Sequence, residues 1–166
     1  MKKITTLNCL LLLFFNYQSK AQLKLKQYLV AAPVMLVTGM IDGTIESINY
    51  HYEDGFKLTC PNANDQFWNP AVSWKNKYKN NDPAQGQKFI GSTNVFAFTT
   101  DAYHLLRTTN RTLTGVAMAY YINQSYREKE LTKKKKWLKI GADFLILTAI
   151  RTVGFHFTYS LLFRKQ

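Results

Sequence analysis

The sequence predicts an all-α chain: a small bundle of about three long, largely apolar helices, embedded in or lying against a membrane, with an aromatic-rich irregular loop. Three observations carry this. Apolar stretches of helical length occupy residues 28–50, 94–122 and 137–163. Polar residues inside them recur three and four positions apart, as in Thr38, Asp42, Glu46 and Asn49, or Asp101, His104 and Arg107, so that each set shares a helix face. The intervening segments differ in kind: 51–92 is rich in turn formers and aromatics, while 123–136 is polar and basic.

A chain of 166 residues suits one domain, taken here as 22–166 after a leader at 1–21. The leader reading rests on Met1-Lys2-Lys3, an apolar run from Ile4 to Phe15, and Ser19-Lys20-Ala21 before Gln22, the pattern of a Sec signal peptide cut after Ala21. An uncleaved anchor is the alternative. Either way the chain is expected in the export pathway, with the cytoplasmic membrane preferred over a soluble periplasmic or extracellular location. Cys9 lacks the small-residue context of a lipoprotein site. Its removal leaves Cys60 as the sole thiol, which rules out an intrachain disulfide, a redox pair and a cysteine zinc cluster in the mature chain.

The formal charge of +12 falls to about +9 once Lys2, Lys3 and Lys20 go with the leader. Such a balance attracts anions, and for an exported chain anionic lipid is favoured over nucleic acid.

Taken in order, the first helix is expected at about 28–50. Tyr28 to Ile41 is interrupted only by Pro33, Thr38 and Gly39, and about 23 residues are enough to cross a bilayer. The loop 51–92 is punctuated by Pro61, Asn62, Asn64, Asp65, Asn69, Pro70 and Asn80-Asn81-Asp82-Pro83, with a short helix over Val72 to Tyr78. Its aromatics stand among lysines. A sugar-stacking surface and a single-stranded nucleic-acid platform use the same residue types, but the preferred reading places Trp68, Trp74 and Tyr78, with Trp137, at a membrane interface. The second helix is expected at about 94–122, capped by Ser92 or Thr93 and kinked near Asn110 and Gly115. The connector 123–136, with Lys133 to Lys136, reads as a solvated loop that contacts anionic lipid or sets topology. The third helix, about 137–163, is the best spanning candidate of the mature chain, apolar from Phe144 to Ile150 and closed by Arg164-Lys165.

Two features strain this picture. With the leader cut and three crossings, the lysine run falls outside, against the positive-inside tendency, so 28–50 or 94–122 becomes a re-entrant or interfacial segment. The mean hydropathy of −0.23 is also low for a polytopic protein.

Charges within apolar helices must face each other or water. The simpler solution is structural: Asp42 or Glu46 paired with Arg107 or Arg111, and Asp143 with Arg151. The sharper one gathers Glu46, Asp101, His104 and His156 into a carboxylate and imidazole site, supported by His51, Asp42 or Asp143. Asp101-x-x-His104 has the one-turn spacing of bundle metal sites, so Asp101, His104 and Glu46 are the ligands expected if a divalent metal binds. Phosphate-cradling glycine loops, a Gly-x-Ser-x-Gly elbow, His-Glu-x-x-His and dinucleotide fingerprints are all absent from the sequence. The balance favours a non-enzymatic membrane component whose partner is lipid or another membrane protein. A membrane-associated enzyme with hydrolytic or proton-transfer chemistry at the four named residues is the alternative.

Overall fold

A computed structural model describes residues 25–127 and 132–164. The leader and its cleavage site, and Glu128 and Glu130 of the connector, lie outside the described residues. Three long helices carry the architecture: α1 Leu25–Tyr50, α2 Ala102–Tyr126 and α3 Lys133–His156. No strand occurs among the described residues, and Tyr78 and Gln87 form an isolated antiparallel bridge.

α1 is the central element, packed along both α2 and α3, which meet each other far less. Ala31 and Met35 on its first half share a core with Ala117, Tyr121 and Leu147. Ile48, followed by Tyr52 and Phe56, shares a second core with Phe163, flanked by Trp68, Tyr103 and Leu106. α2 therefore runs antiparallel to α1, and α3 runs parallel to it. Residues 51–101 close the end of the bundle where α1 finishes and α2 begins. Each large apolar side chain in these clusters contributes about 1.5–3 kcal/mol by leaving water.

The α1–α3 seam is set by glycine. A Cβ at Gly39 would overlap the carbonyl of Arg151, and one at Gly154 would overlap the carbonyl of Leu36. At Gly43 it would meet Thr158 Oγ1 and the Phe155 carbonyl. The two backbones touch because nothing stands between them. Thr158 Oγ1 then donates to the Met40 carbonyl at 2.9 Å, a hydroxyl-to-backbone link across the seam of the kind found where helices pack through small residues.

Helix boundaries moved where capping chemistry differed from expectation. α2 begins at Ala102 rather than near Asn94, because Asp101 (φ −155°, ψ 160°) accepts the His104 N–H and so caps the helix. Residues 91–99 form turns instead, ending in a 3₁₀ turn at Ala97–Thr99. α2 runs through Asn110 and Gly115 as one continuous helix. Lys133 to Lys136 are the first turn of α3, not a loop, and α3 passes at Phe157 into a π-helical turn ending at Leu162. The short helix expected over 72–78 is the pair of turns Pro70–Ser73 and Trp74–Lys77, started by Pro70 and capped by Asn69.

Among the described helices one is long and apolar enough to cross a membrane, Tyr28–Tyr50, and only 33% of its apolar window is buried. It is this helix, and not 137–163, that meets the spanning criterion; α3 carries Lys133 to Lys136, Lys139, Asp143 and Arg151. Leu29, Val30, Leu36 and Val37 on α1 are exposed, as are Phe144, Leu145, Ile146 and Val153 on α3.

Candidate functional site

The polar residues of the three helices meet in separate nodes rather than in one cluster. The middle node joins all three helices. Asp42 on α1 follows Thr38 by one turn, which puts its carboxylate beside Asn110 of α2 and Arg151 of α3. Arg151 donates from Nε at 2.9 Å and from Nη2 at 2.6 Å to Asp42 Oδ2. Asn110, buried, donates from Nδ2 to Asp42 Oδ1 at 2.8 Å and to the Thr38 carbonyl at 2.7 Å. Its Oδ1 accepts from Arg151 Nη2 at 3.3 Å. Both carboxylate oxygens are thus occupied, as a charge within an apolar bundle requires.

The second node lies at the start of α2. Asp101 is wholly buried; it accepts the His104 backbone N–H at 2.9 Å and stands 2.9 Å from His104 Nδ1 through either oxygen. A carboxylate accepts only, so Nδ1 carries the proton and Nε2 is left as the basic nitrogen of a half-buried imidazole. Thr100 Oγ1 lies 3.0 Å from the other carboxylate oxygen. Cap and dyad are one device.

At the opposite end of the bundle, Asp143 accepts from Lys139 Nζ at 2.8 Å and from the Tyr121 hydroxyl. The Lys139 ammonium also stands 5.8 Å from the Tyr121 ring centroid. A further contact pairs His51 Nε2 with the Tyr159 hydroxyl at 2.9 Å.

These partners correct part of the expected pairing. Asp42 is held by Arg151, not by Arg107 or Arg111, and Asp143 is held by Lys139. The reason is register: the glycine seam sets Arg151 level with Asp42, and Lys139 reaches Asp143 from the preceding turn of its own helix. Arg107 turns outward to donate to the Tyr103 hydroxyl, with its guanidinium carbon 5.5 Å from that ring's centroid, and Arg111 is exposed. Glu46 is half-buried and makes no hydrogen bond or ion pair with a described residue. His156 is exposed and bonds Ser160 Oγ at 3.0 Å. Of the four residues of the sharper reading, only Asp101 and His104 are joined, and among the described residues no three His, Cys, Asp or Glu side chains gather as a metal would need.

The expected interface aromatics divide. Trp68 stacks on Phe56 at 5.3 Å and belongs to the second core. Exposed Trp74 and half-buried Tyr78 meet edge to face, with Lys75 and Lys77 over their rings, and Trp137 is exposed at the start of α3. Sequence reasoning missed Asn110 as a ligand of Asp42, Lys139 as the partner of Asp143, and the glycine seam. The last two had signals, Lys139-x-x-x-Asp143 and Gly39-x-x-x-Gly43. No family model, curated protein or solved structure matches the chain.

Proposed function

We propose that the chain is a membrane-embedded, non-enzymatic helical component whose basic end engages anionic lipid. The observation that carries the reading is an inside-out distribution of polarity. Asp42, Asn110, Asp101 and Asp143 turn toward partners inside the bundle, while large apolar side chains of α1 and α3 face outward. In water such faces would invite aggregation; in hydrocarbon they are solvated and the polar groups are the ones that need covering. Lys133 to Lys136, with Trp137 beside them, sit together at one end, where lysine stems follow the apolar surface and the ammonium groups meet phosphate.

Membranes from cells expressing the chain test the reading. After an alkaline carbonate wash the protein is expected in the pellet, released only by detergent. Recovery as a monodisperse soluble protein would overturn it. For the lipid, phosphatidylglycerol added to detergent-solubilised protein is expected to raise Tm, with the gain shrinking in high salt and disappearing when Lys133 to Lys136 are all changed to Gln.

A second reading has one observation behind it. A buried carboxylate orienting a half-exposed imidazole, as Asp101 orients His104, is the arrangement general-base chemistry uses. Under it, the His104 imidazole of the folded protein reacts readily with diethyl pyrocarbonate and Asp101→Asn slows that reaction; equal rates in the two proteins would overturn the reading.

A further inference from the structure

We propose that the hollow between residues 64–67, 76–81 and 88–89, at the loop end of the bundle, is a binding site for a single saccharide unit, with Lys88 favouring one that carries a carboxylate. Its volume of about 310 Å³ lies at the small end of ligand pockets, room for one sugar ring. Amides dominate the lining, Asn64, Gln66 and Asn81 among them, beside the rings of Phe67 and Phe89. Lys88 is the one charged residue in it. Amides supply donors and acceptors without charge, which suits the hydroxyls of a sugar, and a phenyl face suits its C–H face.

The hollow is built rather than left over. Ser92, wholly buried, donates from Oγ to the Lys77 carbonyl at 2.7 Å and accepts from the Lys88 N–H at 3.1 Å, so one hydroxyl clamps the two strips that carry the walls. The Lys79 N–H bonds the Gly86 carbonyl at 3.1 Å and the Lys88 N–H bonds the Lys77 carbonyl at 2.9 Å. Asn80 and Asn81 both adopt left-handed backbone, φ 49° and 58°, a conformation asparagine tolerates better than most residues. The floor is tied to α2: Asn76 accepts from Gln66 Nε2 and donates to the Thr100 carbonyl at 3.0 Å, next to the Asp101 cap. A connecting segment of this length held together by its own hydrogen bonds is the kind that carries function.

Hydrogen-bonding capacity is left over at the rim. Asn64 spends its Oδ1 on the Gln66 N–H, and its Nδ2 makes no bond with a described residue. The same is true of Gln66 Oε1, the Asn81 amide and Lys88 Nζ. Three uncharged groups and one ammonium therefore stand around an open space with two rings beside it.

The test uses the full chain, isotope-labelled, in a phosphocholine detergent, because the headgroup of a glycoside detergent would compete. Glucose, N-acetylglucosamine, glucuronate and the peptide Ala-Ala-Ala are titrated and followed by amide chemical shifts. Saturable shifts confined to residues 64–67, 76–81, 88–89 and 99–100 are expected with the sugars, tightest with glucuronate. Asn81→Ala, an exposed position, is expected to weaken binding about fivefold. Lys88→Gln should abolish the preference for glucuronate while glucose still binds, a result that a fold defect would not produce. The site is overturned if no sugar gives saturable shifts there, if Asn81→Ala leaves all affinities unchanged in a folded protein, or if the tripeptide alone binds.

Discussion

Asp101 shows how a residue that reads as chemistry is first of all structure. Its carboxylate closes the helix start that α2 needs, and the imidazole of His104 is recruited to the same charge. Asp101→Ala is expected to cost about 0.5–2 kcal/mol in thermal unfolding, while Asp101→Asn, which still accepts the His104 N–H, costs less. Equal losses would mean that the charge of the Asp101 carboxylate, not the cap, is what matters. Asp65 offers a pH signature. The Lys57 ammonium, and after it the Tyr52 hydroxyl, hold its carboxyl below the usual carboxylate range. In the same contact, burial and the bond to Asp65 push the Tyr52 phenol up. A carboxyl whose folded pKa is lowered stabilises above its unfolded pKa, so the contribution of Asp65 is complete above about pH 4 and is lost as pH falls through its lower folded value. In an acid titration of Tm, Asp65→Asn should flatten that part of the profile and leave neutral pH slopes unchanged.

At the scale of the element, the α1–α3 seam depends on the absence of side chains. Replacing Gly154 by Leu forces the helices apart against the Leu36 carbonyl and is expected to cost about 1–3 kcal/mol or more, whereas Gly141→Leu, which has open space around its Cα, should be tolerated far better. Detergent melting curves for the two variants check it; equal Tm values would show that the backbones do not touch. The same seam explains why Arg151 faces Asp42. Helical periodicity puts Asp42 on the polar stripe of α1, but which cation lies opposite depends on the axial offset of α3, and that offset is set by Gly39, Gly43 and Gly154. Sequence spacing carries no information about offset.

For the whole molecule, the Asp42–Asn110–Arg151 node ties all three helices together through side-chain hydrogen bonds. Arg151→Met alone leaves Asp42 with a charge and one amide, and is expected to cost about 1.5–3 kcal/mol. Asp42→Leu combined with Arg151→Met removes both charges and should recover most of that loss. A double variant no better than the single would show that the two side chains do not share one interaction. Because the node lies among outward-facing apolar surfaces, its disruption is also expected to increase oligomer formation during detergent exchange.

Much of the architecture was legible in one dimension. Apolar length and three-four spacing marked α1 to within three residues at its start and at its observed end, Tyr50; the turn formers of 51–92 marked the irregular cap; and the stripes of α1 and α2 named Asp42 and Asp101 as residues that need partners. Those are local properties, written in the order of side chains along a single helix. Tertiary structure decided the rest: that α1 lies between the other two helices, that Arg151 and not Arg107 or Arg111 holds Asp42, that Glu46 and His156 stay apart from the Asp101–His104 pair, and that Ser92, expected as a helix cap, instead clamps a hollow. Each of these depends on the rotation and axial offset of one element against another, which close backbone contact at three glycines and the sharing of single polar atoms between distant segments determine.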